Sequence, residues 1–441
     1  MPRIGLVLAG GGARGSYQIG VWKLLREIGY EPSVVTGCSV GGLNGAVILQ
    51  GDYEVACDIW SRISTDLVLD VDLEQMRRKG IEESPAWLAK EAILQGGTDC
   101  APLRQLLEEY LSEETIRSSG IDFGVTMVEW PRMKGKNVFL EEIPRGQLID
   151  YLLASASFFP TMRAYPIGEV SYIDGGYWNN TPVDMALERG AEELVVVELG
   201  SPGVVKKIDT GDRPVKYIRS QWDLGHILNF SAETARRNMR LGYLDAKKAF
   251  GLADGEKYTF QKDAFKGYGG ALPLLYEEFS QLLGIEMTGL AFSTSERYAR
   301  LVLVRWLFGN LGRKAPLSKL LLRAAEFAGE YMGVSPEECY TVETFSEALK
   351  NALEEHQLAV RVAEELRERL FLPGDLSREG RSQLREILKP GKGKTVAAIL
   401  HIMEEYEPKE RKKLLRTIAG VVPPETIAAC YLWLMRGKKR K

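Results

Sequence analysis

Residues 33–42 read Ser-Val-Val-Thr-Gly-Cys-Ser-Val-Gly-Gly, a strand-like run followed by a tight turn and by a helix-like run that extends to Gln50. The turn, Gly37-Cys38-Ser39-Val40-Gly41, has the pattern G-x-S-x-G. A strand-to-helix turn of this kind needs glycine on both sides of the serine, and it lifts the serine hydroxyl clear of the sheet. It also directs the amides at the start of the helix toward the same space, which suits a developing negative charge. The pattern predicts a nucleophile elbow with Ser39 at its tip.

A second glycine-rich turn precedes this elbow by one β-α unit. Gly10-Gly11-Gly12-Ala13-Arg14-Gly15 follows a strand-like run and opens the helix-like run Ser16–Ile28. The turn satisfies G-x-G-x-x-G, but a dinucleotide-binding loop also needs an acidic residue near the end of the next strand, and residues 33–36 contain none. The alternative is an oxyanion loop, in which glycines let backbone N–H groups approach a reacting carbonyl. We favour the oxyanion loop, because simple helix–strand packing explains one glycine turn better than two in succession.

The composition limits the class of protein. The chain has 441 residues, a formal net charge of −3 and ordinary apolar content, which is enough for two or three domains. The charge gives no indication of a nucleic-acid partner. The five cysteines are scattered, so we expect no metal, no cofactor and a reducing compartment. No apolar stretch approaches the about 20 residues of a membrane span, and the run after Met1 is too short for a signal peptide. We expect a cytoplasmic protein, and the sequence gives no indication of its oligomeric state.

The pattern of segments changes near residue 200. Residues 1–200 alternate strand-like and helix-like segments, which predicts an α/β domain with a parallel-rich sheet flanked by helices. Residues 201–214 have the composition of a linker. Residues 215–441 show long segments of helical periodicity, which predicts a mostly α-helical region whose role is unknown. The helices predicted there are 292–310, 316–332, 342–370, 376–388, 394–406 and 423–436.

A third motif, Asp174-Gly175-Gly176, follows the strand-like pair Tyr172-Ile173. A carboxylate at the end of a strand can deprotonate a serine, although an Asp-Gly pair also suits a simple turn. The three histidines, which lie at positions 226, 356 and 401, are all outside the α/β region. His356 and His401 fall on apolar helix faces and are interpreted as core residues, whereas His226 stays open as a base. The economical hypothesis is a Ser-Asp dyad of Ser39 and Asp174.

The order of these motifs resembles the patatin-like phospholipases, lipid acyl hydrolases that use a Ser-Asp dyad. The resemblance rests on residues 10–15, 37–41 and 174–176, and it extends to Ala-Ser-Ala-Ser-Phe-Phe-Pro at 154–160 and Asn-Asn-Thr-Pro-Val at 179–183. It covers about residues 3–200 and implies a three-layer α/β/α fold. The absence of a histidine near Ser39 agrees with this family.

The resemblance implies roles for individual residues. Ser39 would attack an ester carbonyl and form an acyl-enzyme, and Asp174 would accept its proton and later activate water. Arg14 matches a basic position of the family, where it either stabilises the glycine loop or attracts a phosphate head group. A carboxyl with a pKa of about 3.9 is a poor base, so we expect burial to raise the pKa of Asp174. The implied oxyanion donors are the backbone amides of Gly11, Gly12, Ala13 and Val40.

The expected substrate is a lipid. The helical stretch 53–114 is placed to wall or cover the pocket. Two segments, Leu301–Leu311 and Ile427–Met435 with the basic tail 436–441, are either helices that rest on an anionic membrane or packed helices. The residues expected to line the pocket beside the motifs are Phe158, Phe159 and Tyr177.

The favoured function is therefore a serine lipid acyl hydrolase that cleaves carboxylic ester bonds of (lyso)phospholipids or related lipids at or near a membrane. The alternatives are a soluble carboxylesterase or thioesterase on the same dyad, a dinucleotide-binding protein that uses residues 10–15, and a degenerate hydrolase fold that serves as a scaffold.

Overall fold

The structure is a computed structural model that describes residues 2–70, 96–266, 317–354 and 391–437, together with 90, 94, 305 and 306. The chain divides into two compact units, Met1–Gly251 and Leu252–Lys441. The sheet of the first unit contains β1 Ile4–Leu8, β2 Val34–Cys38, β3 Asp122–Trp130, β4 Lys134–Phe139, β5 Tyr165–Ile167, β6 Val170–Asp174, β7 Glu193–Glu198 and β8 Val215–Arg219. The described helices of this unit are α1 Ser16–Glu27, α2 Val40–Gln50, α3 Tyr53–Arg62, α4 Ala101–Tyr110, α5 Glu113–Ser118, α6 Leu148–Ala156, α7 Val183–Glu188 and α8 Ala232–Ala249.

The strands follow the order β5-β6-β3-β2-β1-β7-β8, and β4 also pairs with β3. The pairs β3-β2, β2-β1, β1-β7 and β7-β8 are parallel. The pairs β3-β4, β3-β6 and β5-β6 are antiparallel. Alternate side chains of β1 enter two separate cores, Leu6 and Leu8 on one face and Val7 on the other. Apolar residues of α1 and α2 belong to the first core and those of α7 to the second. The predicted α/β fold, with a parallel-rich sheet between helices, is confirmed.

Two strands share one edge of β3. These strands are β2 and β6. The opposite edge of β3 pairs with β4 over the whole range Gly124–Glu129. On the shared edge, β2 ends where Cys38 pairs with Thr126, and β6, running in the opposite direction, ends where Asp174 pairs with Met127. The carboxyl ends of β2 and β6 therefore meet head to head beside β3.

The first unit continues past the predicted boundary at residue 200. β8 extends the sheet beside β7, and α8 packs closely on α1. A Cβ on Gly20 would lie 1.8 Å from the Met239 carbonyl oxygen, and one on Gly242 would lie 2.0 Å from that of Tyr17. The prediction of a linker over 201–214 and a separate helical region from 215 is thus corrected: the unit ends at Gly251. β8 escaped notice because, as an edge strand with only Ile218 fully buried, it lacks a continuous apolar run.

The described part of the second unit is mostly helical, as predicted. Its helices are α9 Leu317–Met332, α10 Val342–Glu354, α11 Lys392–Glu405, α12 Pro408–Val421 and α13 Pro423–Gly437. A small sheet that was not predicted joins β9 Ala253–Asp254, β10 Thr259–Gln261 and β11 Cys339–Tyr340. Of the other predicted helices, 376–388 and the second half of 342–370 lie outside the described residues, as does 292–310 except for residues 305 and 306.

The two candidate membrane-surface segments have different outcomes. Residues 427–432 of α13 are buried within the second unit, so the packed-helix interpretation holds for this part of Ile427–Met435. Residues 438–441 of the basic tail lie outside the described residues, as does Leu301–Leu311 apart from Arg305 and Trp306. None of the helices in the described ranges is long and apolar enough to cross a membrane.

Candidate active site

Ser39 occupies a strained turn between β2 and α2. Its backbone φ is 54° and its ψ is −128°, in a region that non-glycine residues rarely adopt. A Cβ on Gly37 would lie 2.4 Å from the Gly41 carbonyl carbon, and one on Gly41 would lie 2.1 Å from the Leu8 carbonyl oxygen. The two glycines are therefore required by close backbone contacts, and the strand–serine–helix turn has the predicted geometry.

The backbone of Ser39 is held by a serine for which no role was predicted. The Ser39 N–H donates to Ser155 Oγ at 3.0 Å, and the Ser155 hydroxyl donates to the Thr126 carbonyl at 2.8 Å. Ser155 belongs to α6 and is fully buried. In the sequence, Ser155 is a small polar residue within an otherwise apolar helical turn. This pattern is too common to identify a functional site.

Asp174 lies at the end of β6, beside the end of β2. The carboxylate is buried, interacts with the nearby Ser39 hydroxyl, and accepts the Gly176 N–H at 2.7 Å. The Cys38 thiol donates to the same carboxylate oxygen at 3.7 Å. A Cβ on Gly175 would lie 2.3 Å from the Thr126 carbonyl oxygen, so the chain passes close to β3 at this point.

Burial sets the protonation chemistry of this pair. Burial raises the pKa of the Asp174 carboxyl from 3.8 to about 6, and the hydrogen bonds from Ser39, Gly176 and Cys38 limit the rise. Burial, followed by the nearby carboxylate, raises the pKa of the Cys38 thiol well above its ordinary value. Cys38 therefore stays protonated and acts as a hydrogen-bond donor, while Asp174 titrates near neutral pH.

No histidine among the described residues of the first unit hydrogen-bonds Ser39 or Asp174. The His226 ring accepts the Leu228 N–H at 3.2 Å through Nδ1. His401 lies on α11 of the second unit, and His356 lies outside the described residues. In the described part of the chain, the side chains that interact with the Asp174 carboxylate are those of Cys38, which donates a hydrogen bond, and Ser39.

The glycine-rich turn lies against the elbow, but two of its amides are occupied. The Gly10 N–H donates to the Asn180 carbonyl at 3.1 Å, and the Ala13 N–H donates to the Ile227 carbonyl at 2.9 Å. The expectation that Ala13 is an oxyanion donor is therefore corrected. Gly11 and Gly12 line the same cavity as Ser39 and Val40.

Backbone geometry makes the amides of Gly12 and Val40 candidate hydrogen-bond donors. Gly12 has a φ of +54°, and a Cβ there would lie 2.1 Å from the Ile227 carbonyl oxygen. Val40 is the first residue of α2, so its N–H has no acceptor within the helix. With Gly11, these residues present backbone donors beside Ser39.

Arg14 stabilises the glycine-rich turn. Its guanidinium donates to the carbonyls of Leu199 at 3.1 Å, Gly200 at 2.6 Å and Gly225 at 2.8 Å. These bonds tie the turn after β1 to the loops after β7 and β8. Of the two roles proposed from the sequence, loop stabilisation is the one these contacts support. Gly15 allows the turn to approach α2, because a Cβ there would lie 2.3 Å from a Val40 methyl carbon.

A network of buried side-chain amides holds the glycine-rich turn in place. Gln18 donates to the Ala9 carbonyl at 2.8 Å, and Asn44 donates to Gln18 at 2.8 Å and to the Gly15 carbonyl at 2.9 Å. The Trp60 indole donates to Asn44 at 3.1 Å. Neither Gln18 nor Asn44 was singled out in the sequence, because isolated amides on a helix carry no pattern.

A cavity of about 280 Å³ extends from Ser39 and Asp174 into an apolar region. Most of its other lining residues are aliphatic or aromatic and come from α2, α3, α4 and the segments beside them. The stretch 53–114 thus contributes to the pocket wall as predicted, although part of it, including residues 71–89, lies outside the described residues. Phe158 and Tyr177 line the cavity as expected. Phe159 does not, and instead packs on Trp130 with ring centroids 4.6 Å apart.

A parallel-rich α/β sheet that carries a serine elbow, a neighbouring buried carboxylate and an apolar cavity defines a hydrolase-like fold. Residues 6–187 match the family model described as patatin-like phospholipase, in agreement with the resemblance found in the sequence.

The chain is similar to curated proteins over about half of its length. The chain is 28% identical over 213 residues, 47% of its length, to a patatin-like phospholipase domain-containing protein of Caenorhabditis elegans. It is 26% identical over 213 residues, 48% of its length, to the lysophospholipase NTE1 of Cryptococcus neoformans. The matched parts are 14% and 12% of those proteins, so the chain spans a small part of the relatives that it matches.

A solved structure shows a weaker likeness. VipD from Legionella pneumophila is 13% identical, with 98% of this chain and 90% of that chain covered and a TM-score of 0.30.

Proposed function

We propose that this protein is a serine lipid acyl hydrolase of the phospholipase A or lysophospholipase type, with Ser39 as nucleophile and Asp174 as general base. The observation that carries the proposal is the position of Ser39 beside a buried carboxylate, at the meeting ends of β2 and β6, with a pKa that burial raises to about 6. A base with a pKa near the working pH combines a usable deprotonated fraction with useful basicity.

The chemistry follows from this contact. As Ser39 Oγ attacks the ester carbonyl carbon, its proton passes to Asp174, and the carbonyl oxygen becomes an oxyanion. The N–H groups of Gly11, Gly12 and Val40 stabilise that charge. The tetrahedral intermediate then breaks its bond to the leaving alcohol, which takes the proton from Asp174. Water, deprotonated by Asp174, attacks the acyl-serine ester and releases the fatty acid and Ser39.

The cavity favours a lipid acyl group over a small soluble ester. Its walls beyond Ser39 are formed mainly by aliphatic and aromatic side chains such as Leu43, Leu106 and Trp60. Each methylene transferred from water into such surroundings contributes about 0.8 kcal/mol, so a long chain gains far more than an acetyl or butyryl group. The name of the fungal relative, a lysophospholipase, agrees with this substrate class.

A serine-directed fluorophosphonate probe with peptide mapping tests the nucleophile. We expect labelling at Ser39, loss of labelling in Ser39→Ala and weaker labelling in Asp174→Ala. Ser61→Ala is a matched control, because Ser61 donates to the Asp58 carbonyl on α3 and lies outside the catalytic contacts. Labelling of another serine, or full labelling of Asp174→Ala, would contradict the proposed dyad.

A panel of lipids tests the substrate. We expect release of fatty acid from phospholipids or lysophospholipids, with higher kcat/KM for long acyl chains than for short ones. Activity that is confined to short water-soluble esters and does not increase at a lipid surface would instead assign a soluble carboxylesterase or thioesterase.

A further inference from the structure

Exposed apolar side chains occur in segments that line the cavity or adjoin its lining residues. Ten large apolar side chains are exposed among the described residues, and four of them belong to this region. These are Met133, Tyr177, Val204 and Val205, with exposed fractions of 48, 37, 50 and 58%. Scattered single apolar residues are ordinary on protein surfaces, whereas a cluster indicates an interaction site.

The cluster is continuous with the cavity lining. Pro202 and Gly203 line the cavity, and Val204 and Val205 follow them directly in the chain. The Val204 N–H donates to the Gly176 carbonyl at 2.9 Å, and the Val204 carbonyl accepts the Asn180 N–H at 2.7 Å. The loop is thereby fixed to the same segment that carries Asp174, so its exposed side chains have a defined position at the opening.

The hairpin between β3 and β4 completes this surface. Trp178 follows Tyr177 and packs flat on β4, since a Cβ on Gly135 would lie 1.8 Å from its ring. Met133 lies at the tip of the same hairpin. We name this region, residues 130–136, 177–178 and 202–208, the mouth surface.

The mouth surface is basic as well as apolar. Its two longer segments, Trp-Pro-Arg-Met-Lys-Gly-Lys at 130–136 and Pro-Gly-Val-Val-Lys-Lys-Ile at 202–208, contain five basic residues and no acidic one. Lys134 and Lys207 are exposed. Two of the five are paired with neighbouring acids, Arg132 with Glu129 at 2.8 Å and Lys206 with Asp184 at 3.3 Å. The remaining charges leave the surface positive.

We propose that the mouth surface docks the protein on an anionic lipid bilayer, with its apolar side chains in the interface and its basic side chains on the lipid phosphates. This inference rests on the proposed function, because it supplies the route by which a lipid enters the cavity. An acyl chain that left the bilayer through water would expose each of its methylenes to water, and an opening held at the interface avoids that exposure. Basic residues near an anionic leaflet each add attraction that salt weakens.

The experiment measures co-sedimentation of the full chain with phosphatidylcholine vesicles, with and without phosphatidylserine. We expect binding that requires phosphatidylserine and decreases with salt. The variant Met133→Asp/Val205→Asp should bind about tenfold more weakly. Aspartate tolerates the positive φ of 54° at Met133, so the variant is not strained there. Lys134→Glu/Lys207→Glu should lose the dependence on phosphatidylserine.

Ile28→Asp/Tyr217→Asp is the matched control, since these side chains are 39 and 55% exposed and lie on α1's carboxyl end and on β8. It should bind as the unmodified protein does. Equal binding of Met133→Asp/Val205→Asp, or no binding of the unmodified protein to anionic vesicles, would overturn the proposal and favour a protein partner for this surface.

Hydrolysis of a short water-soluble ester separates this proposal from the proposed function. We expect Met133→Asp/Val205→Asp to keep this activity while it loses vesicle binding and vesicle hydrolysis. Unchanged vesicle hydrolysis by this variant would refute the docking surface alone. Vesicle binding without any ester hydrolysis in the unmodified protein would refute the proposed function and leave the docking surface supported.

Discussion

Replacing Asp174 with asparagine should make the protein more stable and inactive at the same time. The substitution keeps the size of the side chain and an oxygen that can accept the Gly176 N–H, but it removes a buried negative charge and the proposed base beside Ser39. A structural aspartate would lose stability on this change, whereas a catalytic one held in an unfavourable state gains it.

The size of the gain follows from the pKa of Asp174. The carboxyl titrates near 3.8 in its ordinary state and near 6 in the folded protein. A difference of about two pKa units corresponds to about 3 kcal/mol. Below about pH 3.8 both states hold the proton, so there is no penalty. As the pH rises from about 3.8 to about 6 the folded state keeps the proton longer, so stability falls, and above about pH 6 the full cost of the buried charge is present.

The assay is urea unfolding followed by tryptophan fluorescence, at about pH 4 and about pH 8. The free energy of unfolding of Asp174→Asn minus that of the unmodified protein should increase by about 2 to 3 kcal/mol between the two pH values. Taking this difference of differences cancels any effect of the amide that does not depend on pH. Ester hydrolysis by Asp174→Asn should fall to background.

Asp209→Asn is the matched control. Asp209 also accepts an N–H two residues ahead, from Gly211 at 2.9 Å, but it is exposed. Its replacement should change stability by a similar small amount at both pH values. If Asp174→Asn showed no pH-dependent gain over this control, the reasoning that burial holds the carboxyl in a high-energy charged state would be wrong.

Three further predictions concern the same site. Gly12→Ala should lower kcat about 100-fold while the sheet still folds normally. The reason is that the new Cβ would lie 2.1 Å from the Ile227 carbonyl oxygen and would displace a proposed oxyanion donor. An unchanged kcat would show that Gly12 is not part of the oxyanion site. Cys38→Ala should move the acidic limb of the pH–rate profile above about 6, because the Asp174 carboxylate loses a hydrogen-bond donor. Cys38→Ser should restore the original profile. If the profiles of Cys38→Ala and the unmodified protein coincided, the thiol would have no role in setting the pKa of Asp174. Leu106→Trp should lower kcat/KM for long-chain esters and spare short ones, because Leu106 lines the cavity; equal losses for both would indicate general damage.

The local features of the site were predictable because they depend on short-range sterics. Gly37 and Gly41 are required by contacts within a single turn and with the adjacent strand, and this requirement appears as a spacing in the sequence. The apolar run of β7 likewise predicts a strand buried on both faces. β8 was missed because an edge strand needs only one apolar face, which leaves no run to detect.

Other features depend on partners that are distant in the chain. The Ala13 amide matches a family donor, yet it is occupied by the Ile227 carbonyl from the segment after β8. Arg14 was compatible with a head-group role, and the carbonyls of Leu199, Gly200 and Gly225 decide its position instead. Ile227 and Gly225 lie in the region that was predicted to be a separate helical part, and Leu199 and Gly200 lie at the far end of the predicted α/β domain, so no pattern near residues 10–15 could reveal them.

By itself, the sequence determined the elbow at Ser39 and the glycine turn before it, and it favoured Asp174 over a histidine as the partner of the serine. Only the tertiary structure decided that the carboxylate of Asp174 lies beside Ser39. The physical reason is strand pairing: β4 occupies one edge of β3, so β6 must pair on the other edge, where it ends against β2. That arrangement brings the ends of two strands together and buries the carboxylate between them, and it depends on the whole sheet rather than on any local spacing.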